Sequence, residues 1–249
     1  MKKIAIIQPS SELYGSDRVM LTVAKTMSDA QLHIYLPKKG ALLDFIKKEI
    51  PSAKIIISPE LPIIQRSMFN FKGLFGVVRE MTRFKKFFLR ENDVHQYEMI
   101  YVNTLASVLL LWTVRKLKIP KVIHVHEIIE NPKIVARCIS WFAVKYADKV
   151  VCVSKAVKDN LREYCNLKFD DVIIIRNGIK PITEKLHLPN FKIEFFLFGR
   201  IKPEKGQWYL LEALKQVNKE ILEYANFNIV GGTVQGSEYL IDELNSIII

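Results

Sequence analysis

Short apolar runs alternate with segments of helical periodicity along most of the chain. The first run, residues 4–7, precedes a polar loop and a stretch with apolar side chains every three or four positions. A short run without alternation is typical of a parallel strand that is buried on both faces. The same pattern predicts strands at residues 32–36, 55–57, 99–102, 122–125, 150–153 and 172–175. Strands and helices in this order predict an α/β fold with a Rossmann-like, doubly wound parallel sheet.

Helical periodicity fills the segments between the predicted strands. Ser16 is a candidate N-cap for the first helix, because a serine hydroxyl accepts a hydrogen bond from a free backbone N–H. Another helix is predicted from Asn103-Thr104 to about Lys118, since Pro120 then stops it. Further helices are predicted over residues 42–50, 134–146 and 155–164.

The pattern is interrupted and then restarts. Residues 181–190 contain two prolines and little periodicity, which predicts a boundary between a domain of residues 1–182 and a second of residues 183–249. Strands are predicted there at residues 193–198 and 227–230, and helices at 207–217 and 238–245. Residues 247–249 are predicted to begin another strand, so the second Rossmann-like domain is expected to be incomplete.

One predicted helix is both apolar and strongly basic. Its apolar stripe consists of Leu74, Val77, Val78, Met81, Phe84 and Phe88, and cations surround it from Arg79 to Arg90. Such a helix packs its apolar face on its own domain or lies on an anionic membrane surface. Core packing is the favoured interpretation, because most amphipathic helices do this.

Composition narrows the classes of partner. The chain has 249 residues, is 49% hydrophobic and carries a formal charge of +11, which favours polyanions, anionic membranes or phosphorylated small molecules. The usual nucleic-acid-binding motifs are missing from the sequence, so nucleic acid is not predicted as a partner. The three cysteines lack metal-ligand spacing, and no metal site is predicted. No apolar run reaches membrane-spanning length and the first is too short for export, which predicts a cytoplasmic protein.

The stretch around residues 195–206 is a candidate phosphate site. An apolar run ends at Gly199-Arg200, crosses a charged loop and reaches Lys205-Gly206 immediately before a predicted helix. Helix N-termini carry free N–H groups and partial positive charge, while arginine and lysine add full charges. An ordinary strand–loop–helix joint with solvated charges is the alternative.

Each of three other positions is a candidate either for ligand binding or for a purely structural role. His126 follows a predicted strand, at the edge where α/β sheets bind ligands, although structural histidines are also common there. Asn177-Gly178 is most simply a tight turn. Gly231-Gly232 is more typical of a strand-end turn than of a ligand contact.

Five motifs in order resemble the family-four glycosyltransferases of the GT-B fold. They are Tyr14-Gly15-Ser16-Asp17-Arg18-Val19, the run from Val122 to Glu127, Val151-Cys152-Val153-Ser154-Lys155, Asn177-Gly178-Ile179, and Gly199-Arg200 with Lys205-Gly206 and Leu210-Leu211-Glu212-Ala213. The last of these is the most specific match.

The resemblance implies a retaining transferase that takes a sugar from a nucleotide-diphosphate sugar, with no other cofactor. It implies that Arg200 and Lys205 neutralise the donor diphosphate and that His126 lies beside the sugar. Gly15, Asn177, Gly199 and Gly231 are the further positions expected to bind the donor. The acceptor would be a saccharide or a lipid-linked molecule in surface polysaccharide or glycolipid synthesis, with a possible peripheral position on the membrane through residues 79–90.

The sequence departs from the family pattern in two places. The family has two glycines and a glutamate at the first turn, where this chain has Tyr14-Gly15 and Asp17. The family also carries two glutamates separated by seven residues in its second domain, and Glu238 and Glu243 lack that spacing. The chain is therefore expected to be truncated within the second domain. A non-catalytic nucleotide-sugar-binding module and a sugar-nucleotide 2-epimerase-like enzyme are the alternative hypotheses.

Overall fold

The computed structural model describes residues 1–65, 68, 71–165, 172–178, 192–233 and 236–247. The chain divides into two compact units, Met1–Ile179 and Lys180–Ile249, called unit 1 and unit 2 below. The predicted boundary between residues 182 and 183 lies outside the described residues.

Unit 1 contains a seven-stranded parallel sheet. Its strands are β1 (Lys2–Ile7), β2 (Ala30–Leu36), β3 (Lys54–Ile57), β4 (Met99–Asn103), β5 (Lys121–Val125), β6 (Lys149–Cys152) and β7 (Val172–Ile174). Their order is β3-β2-β1-β4-β5-β6-β7, and Ile4 of β1 lies opposite Leu32 on one side and Met99 on the other. The order reverses between β1 and β4, which is the switch point where doubly wound sheets bind ligands.

Helices connect these strands. They are α1 (Gly15–Thr26), α2 (Ala41–Glu49), α3 (Phe71–His95), α4 (Val108–Thr113), α5 (Lys133–Tyr146) and α6 (Lys155–Tyr164), with a 3₁₀ turn at Leu105–Ser107. None of the helices in the described part of the chain combines the length and apolar character needed to cross a bilayer.

Strand β1 of unit 1 is buried on both faces from Ile4 to Ile7. Ala5 and Ile7 of β1 belong to one apolar cluster, while Ile4 and Ile6 belong to another. Successive side chains of a strand point to opposite faces, so the two clusters are the two faces of the sheet. This confirms the prediction drawn from the short apolar run at residues 4–7.

Helix α3 packs four residues of its apolar stripe into unit 1, whereas Val78 of that stripe is 56% exposed. Val77, Met81, Phe84 and Phe88 are all buried, and Phe84 and Phe88 stack on each other with ring centroids 5.6 Å apart. The core-packing interpretation is therefore confirmed for these residues.

Two local predictions in unit 1 were wrong. Helix α1 begins at Gly15 with Tyr14 as its N-cap, so Ser16 lies inside the helix. The predicted helix up to Lys118 is shorter, because α4 ends at Thr113. Thr113 and Val114 are β-branched and weak helix formers, and Arg115 donates to the Trp112 carbonyl at 2.8 Å, which satisfies a helix-end oxygen.

The described part of unit 2 contains a two-stranded parallel sheet and three helices. The strands are β8 (Ile193–Phe198) and β9 (Ala225–Val230), and the helices are α7 (Gln207–Leu214), α8 (Lys219–Leu222) and α9 (Tyr239–Ile247), with a 3₁₀ turn at Pro203–Lys205. Ile201, Leu240 and Leu244 form its small buried cluster. The predicted strand at residues 247–249 was wrong at Ile247, because this residue continues the helical spacing of Leu240 and Leu244 and ends α9.

Candidate functional site

Three polar residues of unit 1 meet at the carboxyl edge of the sheet. Gln8 follows β1, Asn103 ends β4 and His126 follows β5. Because β1, β4 and β5 are neighbours in the sheet, their ends lie side by side. Gln8 and Asn103 are fully buried, and His126 is half-buried.

Hydrogen bonds join these residues to the first turn of α1. Gln8 Nε2 donates to Asp17 Oδ1 at 2.5 Å, and Asn103 Nδ2 donates to Gln8 Oε1 at 2.7 Å. Asn103 Oδ1 lies 2.9 Å from His126 Nε2. A continuous polar chain, Asp17–Gln8–Asn103–His126, therefore crosses the switch point of the sheet.

Asp17 anchors the loop that precedes α1. Its carboxylate accepts the Tyr14 backbone N–H at 2.8 Å and the Ser10 hydroxyl at 3.1 Å. Burial raises the pKa of Asp17, and these hydrogen bonds oppose that rise. A carboxylate in the first turn also complements the positive end of the helix dipole.

His126 is held as a neutral imidazole. Burial, aided by the neighbouring His124, lowers the pKa of His126 to about 4. The two rings are 4.4 Å apart, and His124 Nδ1 lies 2.6 Å from the Tyr101 hydroxyl. At neutral pH the polar edge of unit 1 therefore presents imidazole and not imidazolium.

Glu127 stabilises the loop backbone beside His126. Its Oε2 accepts the backbone N–H of Leu105 at 3.2 Å and that of His126 at 3.1 Å. Burial raises the pKa of Glu127 against these hydrogen bonds. Its side chain thus ties the end of β5 to the turn after β4.

Gly15 and Asn177 occupy less constrained positions. Gly15 is the first residue of α1, and a Cβ there would meet no described atom within 4 Å. Asn177 follows β7 in exposed, irregular chain, and the residues after Gly178 are outside the described ones, so the predicted tight turn stays a prediction.

Backbones approach closely at the carboxyl ends of β8 and β9 in unit 2. Gly199 N–H donates to Val230 O at 3.0 Å, and Ile201 N–H donates to Gly232 O at the same distance. A Cβ at Gly231 would lie 1.8 Å from the Gly199 carbonyl oxygen. Any side chain at position 231 would therefore push the two strand ends apart, which explains the glycine.

The predicted cations of unit 2 lie on the loop from β8 to α7. Arg200 and Lys205 are both exposed. Gly206 has φ +86° and caps α7, so a residue that tolerates the left-handed region is required there. Gln207 is fully buried and donates from Nε2 to the Arg200 carbonyl at 2.9 Å, which joins the loop to the start of α7.

Sequence reasoning missed four residues of these two places: Gln8, Asp17, Asn103 and Gln207. A usable signal was present for Gln8 and Asn103, because each is a polar residue at the carboxyl end of an apolar run. Across the described ranges, no three His, Cys, Asp or Glu side chains are grouped so that they could hold a metal ion.

A doubly wound parallel sheet with polar residues at its switch point is the arrangement of the Rossmann-like fold. A sequence model of Glycosyltransferase Family 4 matches residues 14–181, which is more than half of the chain. The chain therefore belongs to glycosyltransferase family 4. An uncharacterised glycosyltransferase of Methanocaldococcus jannaschii is 32% identical over 120 residues, which cover 47% of this chain and 31% of that protein.

Solved structures show the same fold. The chain matches Anabaena HepE, crystallised with UDP and glucose, with a TM-score of 0.73 and 18% identity over 100% of this chain and 66% of that one. It matches sucrose-phosphate synthase of Thermosynechococcus elongatus with a TM-score of 0.68 and 16% identity over 98% of this chain and 68% of that one. A putative UDP-N-acetylglucosamine 2-epimerase of Listeria monocytogenes gives a TM-score of 0.61 and 11% identity over 100% of this chain and 66% of that one. The predicted GT-B fold class is thereby confirmed.

Proposed function

We propose that this chain binds a nucleotide-diphosphate sugar and transfers the sugar, with retention, to a saccharide or lipid-linked acceptor. Membership of family 4 is the observation that carries the proposal. HepE was crystallised with UDP and glucose, which supports a nucleotide-sugar donor. We further propose a place in surface polysaccharide or glycolipid synthesis, in the cytoplasm.

In this proposal, unit 2 binds the donor diphosphate. Gly199 and Gly231 keep the strand ends free of side chains, so a phosphate can approach backbone N–H groups closely. Arg200 and Lys205 lie on the same loop and supply positive charge where negative charge develops on the leaving diphosphate. Electrostatic stabilisation of this kind is commonly the largest contribution to catalysis.

In this proposal, the His126 side chain of unit 1 contacts the sugar. A neutral imidazole has one donor and one acceptor nitrogen, which suits sugar hydroxyls. Gly15 begins α1 at the same edge, where the helix N-terminus favours an anionic or polar ligand group. Asn177 is proposed as a further donor contact at the end of β7.

The double variant Arg200→Ala with Lys205→Ala tests the diphosphate assignment. A charged hydrogen bond is worth about 1.5–3 kcal/mol, so we expect each lost cation to weaken binding roughly 10- to 100-fold. Calorimetric titration with UDP-glucose and other nucleotide sugars measures this directly.

A matched control removes the same charge elsewhere in unit 2. Lys215 and Lys219 are exposed and lie beyond the end of α7 and at the start of α8. The variant Lys215→Ala with Lys219→Ala should bind the donor as the unmodified chain does. Equal affinity in both double variants would reject Arg200 and Lys205 as the diphosphate site.

Two alternative functions predict different products. A non-catalytic binding module would bind donor yet give neither transfer nor hydrolysis. An epimerase-like enzyme would convert donor without any acceptor, and the putative Listeria epimerase shares the fold. Incubation of labelled donor with and without acceptor sugars separates the three, because only a transferase makes product that depends on the acceptor.

We also propose a peripheral position on anionic membrane through the outer face of α3. Arg79, Arg83, Lys86 and Arg90 are all exposed and recur every three or four residues, so they form one basic stripe. Each cation near an anionic surface contributes about 1 kcal/mol.

Vesicle flotation with and without anionic lipid tests this stripe. Replacing its four cations with glutamine should abolish salt-sensitive binding. A control variant with glutamine at Lys47, Lys48, Lys116 and Lys118, which are also exposed, loses the same charge and should still float. Equal flotation of the two variants would contradict the proposal.

A further inference from the structure

The polar chain Asp17–Gln8–Asn103–His126 has a fixed hydrogen-bond direction. The Gln8 amide donates its nitrogen to Asp17 and accepts at its oxygen from Asn103. The Asn103 nitrogen therefore faces Gln8, and its oxygen faces His126.

A second contact fixes Asn103 independently of Asp17. Asn103 Nδ2 also lies 3.2 Å from the backbone carbonyl oxygen of Ser16, which is an acceptor only. Reversing the Asn103 amide would place its oxygen against two oxygens. Since Asn103 is fully buried, no bulk water would relieve that repulsion.

From this geometry we infer that Asn103 is a positioning residue, which fixes His126 as the tautomer with its proton on Nε2. The Asn103 oxygen, 2.9 Å from His126 Nε2, requires a donor there. Burial keeps the ring neutral at pH 7, because the pKa of His126 is lowered to about 4. The second nitrogen, Nδ1, then carries a lone pair and is a hydrogen-bond acceptor.

This tautomer selects the chemical class of ligand group that His126 recognises. A lone pair accepts a hydrogen bond from a hydroxyl and repels a phosphate oxygen. His126 is thus matched to a sugar hydroxyl and not to the diphosphate. That consequence rests on the proposed function, whereas the tautomer itself does not.

Nitrogen NMR of the full chain reads the tautomer directly. In ¹⁵N-histidine-labelled protein, with the His126 signals assigned from a His126→Gln variant, Nε2 should resonate as a protonated nitrogen and Nδ1 as an unprotonated one. The opposite pattern in the unmodified chain would overturn the inference, whatever any variant does.

Replacing Asn103 with leucine then tests its role. In Asn103→Leu we expect the His126 signals to move toward a mixture of tautomers and donor affinity to fall about tenfold, the usual worth of one buried hydrogen bond. Asn160 is another buried asparagine of unit 1, and it bonds the Ile129 backbone. Asn160→Leu should leave the His126 tautomer and donor affinity unchanged. An unaltered tautomer in folded Asn103→Leu would overturn the positioning role.

The two proposals fail separately. If the unmodified chain shows the Nε2-protonated tautomer but binds no nucleotide sugar, the proposed function falls and the inference about Asn103 stands. If it binds donor with the proton on Nδ1, the inference falls and the proposed function stands.

Discussion

Strands β1 of unit 1 and β8 of unit 2 are both apolar in sequence, yet β1 is buried and β8 is largely exposed. Ile6 and Ile7 of β1 are 0% exposed, whereas Phe195 and Phe198 of β8 are 48% and 73% exposed. Strand β1 has β2 and β4 on its two sides and apolar clusters on both faces. Strand β8 pairs with β9 in a sheet of two strands. An apolar run therefore determines that a strand forms, while the number of layers around it determines how far it is buried.

The candidate sites differ in the same way. The polar residues of unit 1 are hydrogen-bonded to one another in a largely buried environment. Their neighbours therefore fix both their protonation states and the direction of their hydrogen bonds. Arg200 and Lys205 in unit 2 are exposed side chains on a loop whose backbone is fixed by Gly206 and Gln207. We expect the stability of unit 1 to depend on side-chain packing and on pH, and the stability of unit 2 to depend on its backbone geometry.

Acid should produce the largest difference between the units. Burial lowers the pKa of both His33 and His124 to about 4, against about 6.5 in an unfolded chain. The unfolded chain therefore binds these protons at a higher pH than the folded chain does. The contribution of the two neutral histidines to the free energy of unfolding is thus fully present above pH 6.5 and is lost as the pH drops toward 4. Each histidine contributes up to about 3 kcal/mol to this loss.

Tryptophan fluorescence can follow each unit by itself. Trp112 and Trp141 lie in unit 1 and Trp208 lies in unit 2. Urea unfolding between pH 7 and 4.5 should show a falling free energy for unit 1 in a Trp208→Phe background, and His33→Gln should flatten that slope. The described part of unit 2 contains no histidine. A free energy of unfolding of unit 1 that does not change between pH 7 and 4.5 would contradict this prediction.

Removing one phenylalanine from each unit should give the next largest difference. Phe88 is 0% exposed and stacks on Tyr97 with ring centroids 5.7 Å apart. Phe88→Ala should lower the free energy of unfolding of unit 1 by about 3–5 kcal/mol, because it leaves a cavity. Phe198→Ala is the matched change on an exposed face and should cost less than about 0.5 kcal/mol. Similar losses in urea unfolding would remove the distinction between the two units.

A methyl group added at Gly231 should have the smallest of these effects. Here, in contrast to the preceding predictions, unit 2 should be the more sensitive of the two units. The added Cβ would lie 1.8 Å from the Gly199 carbonyl oxygen, so Gly231→Ala should destabilise unit 2 by about 1–3 kcal/mol. Gly15→Ala in unit 1 is the control, because a Cβ there meets no described atom within 4 Å and alanine favours a helix. Thermal unfolding that shows equal tolerance at both positions would contradict the close approach of β8 and β9.

Much of the fold could be predicted from the sequence because its signals are local. The apolar run at residues 4–7 and those after it predicted every strand of the parallel sheet to within a few residues. The helix after Thr104 was harder, since its end depends on Thr113, Val114 and the capping contact of Arg115. Ile247 was misread because a terminal isoleucine run favours a strand until Leu240 and Leu244 are known to be buried on one helix face.

The sequence by itself determined the order of strands and helices, the family and the places of His126, Gly199 and Arg200 at strand ends. These follow from periodicity and from short motifs, which are properties of neighbouring residues. Only the tertiary structure brought Asp17, Gln8, Asn103 and His126 into one hydrogen-bonded chain, because they come from four separate segments. It alone decided that the β1 run is buried while the β8 run is exposed, since burial depends on which other elements pack against a strand.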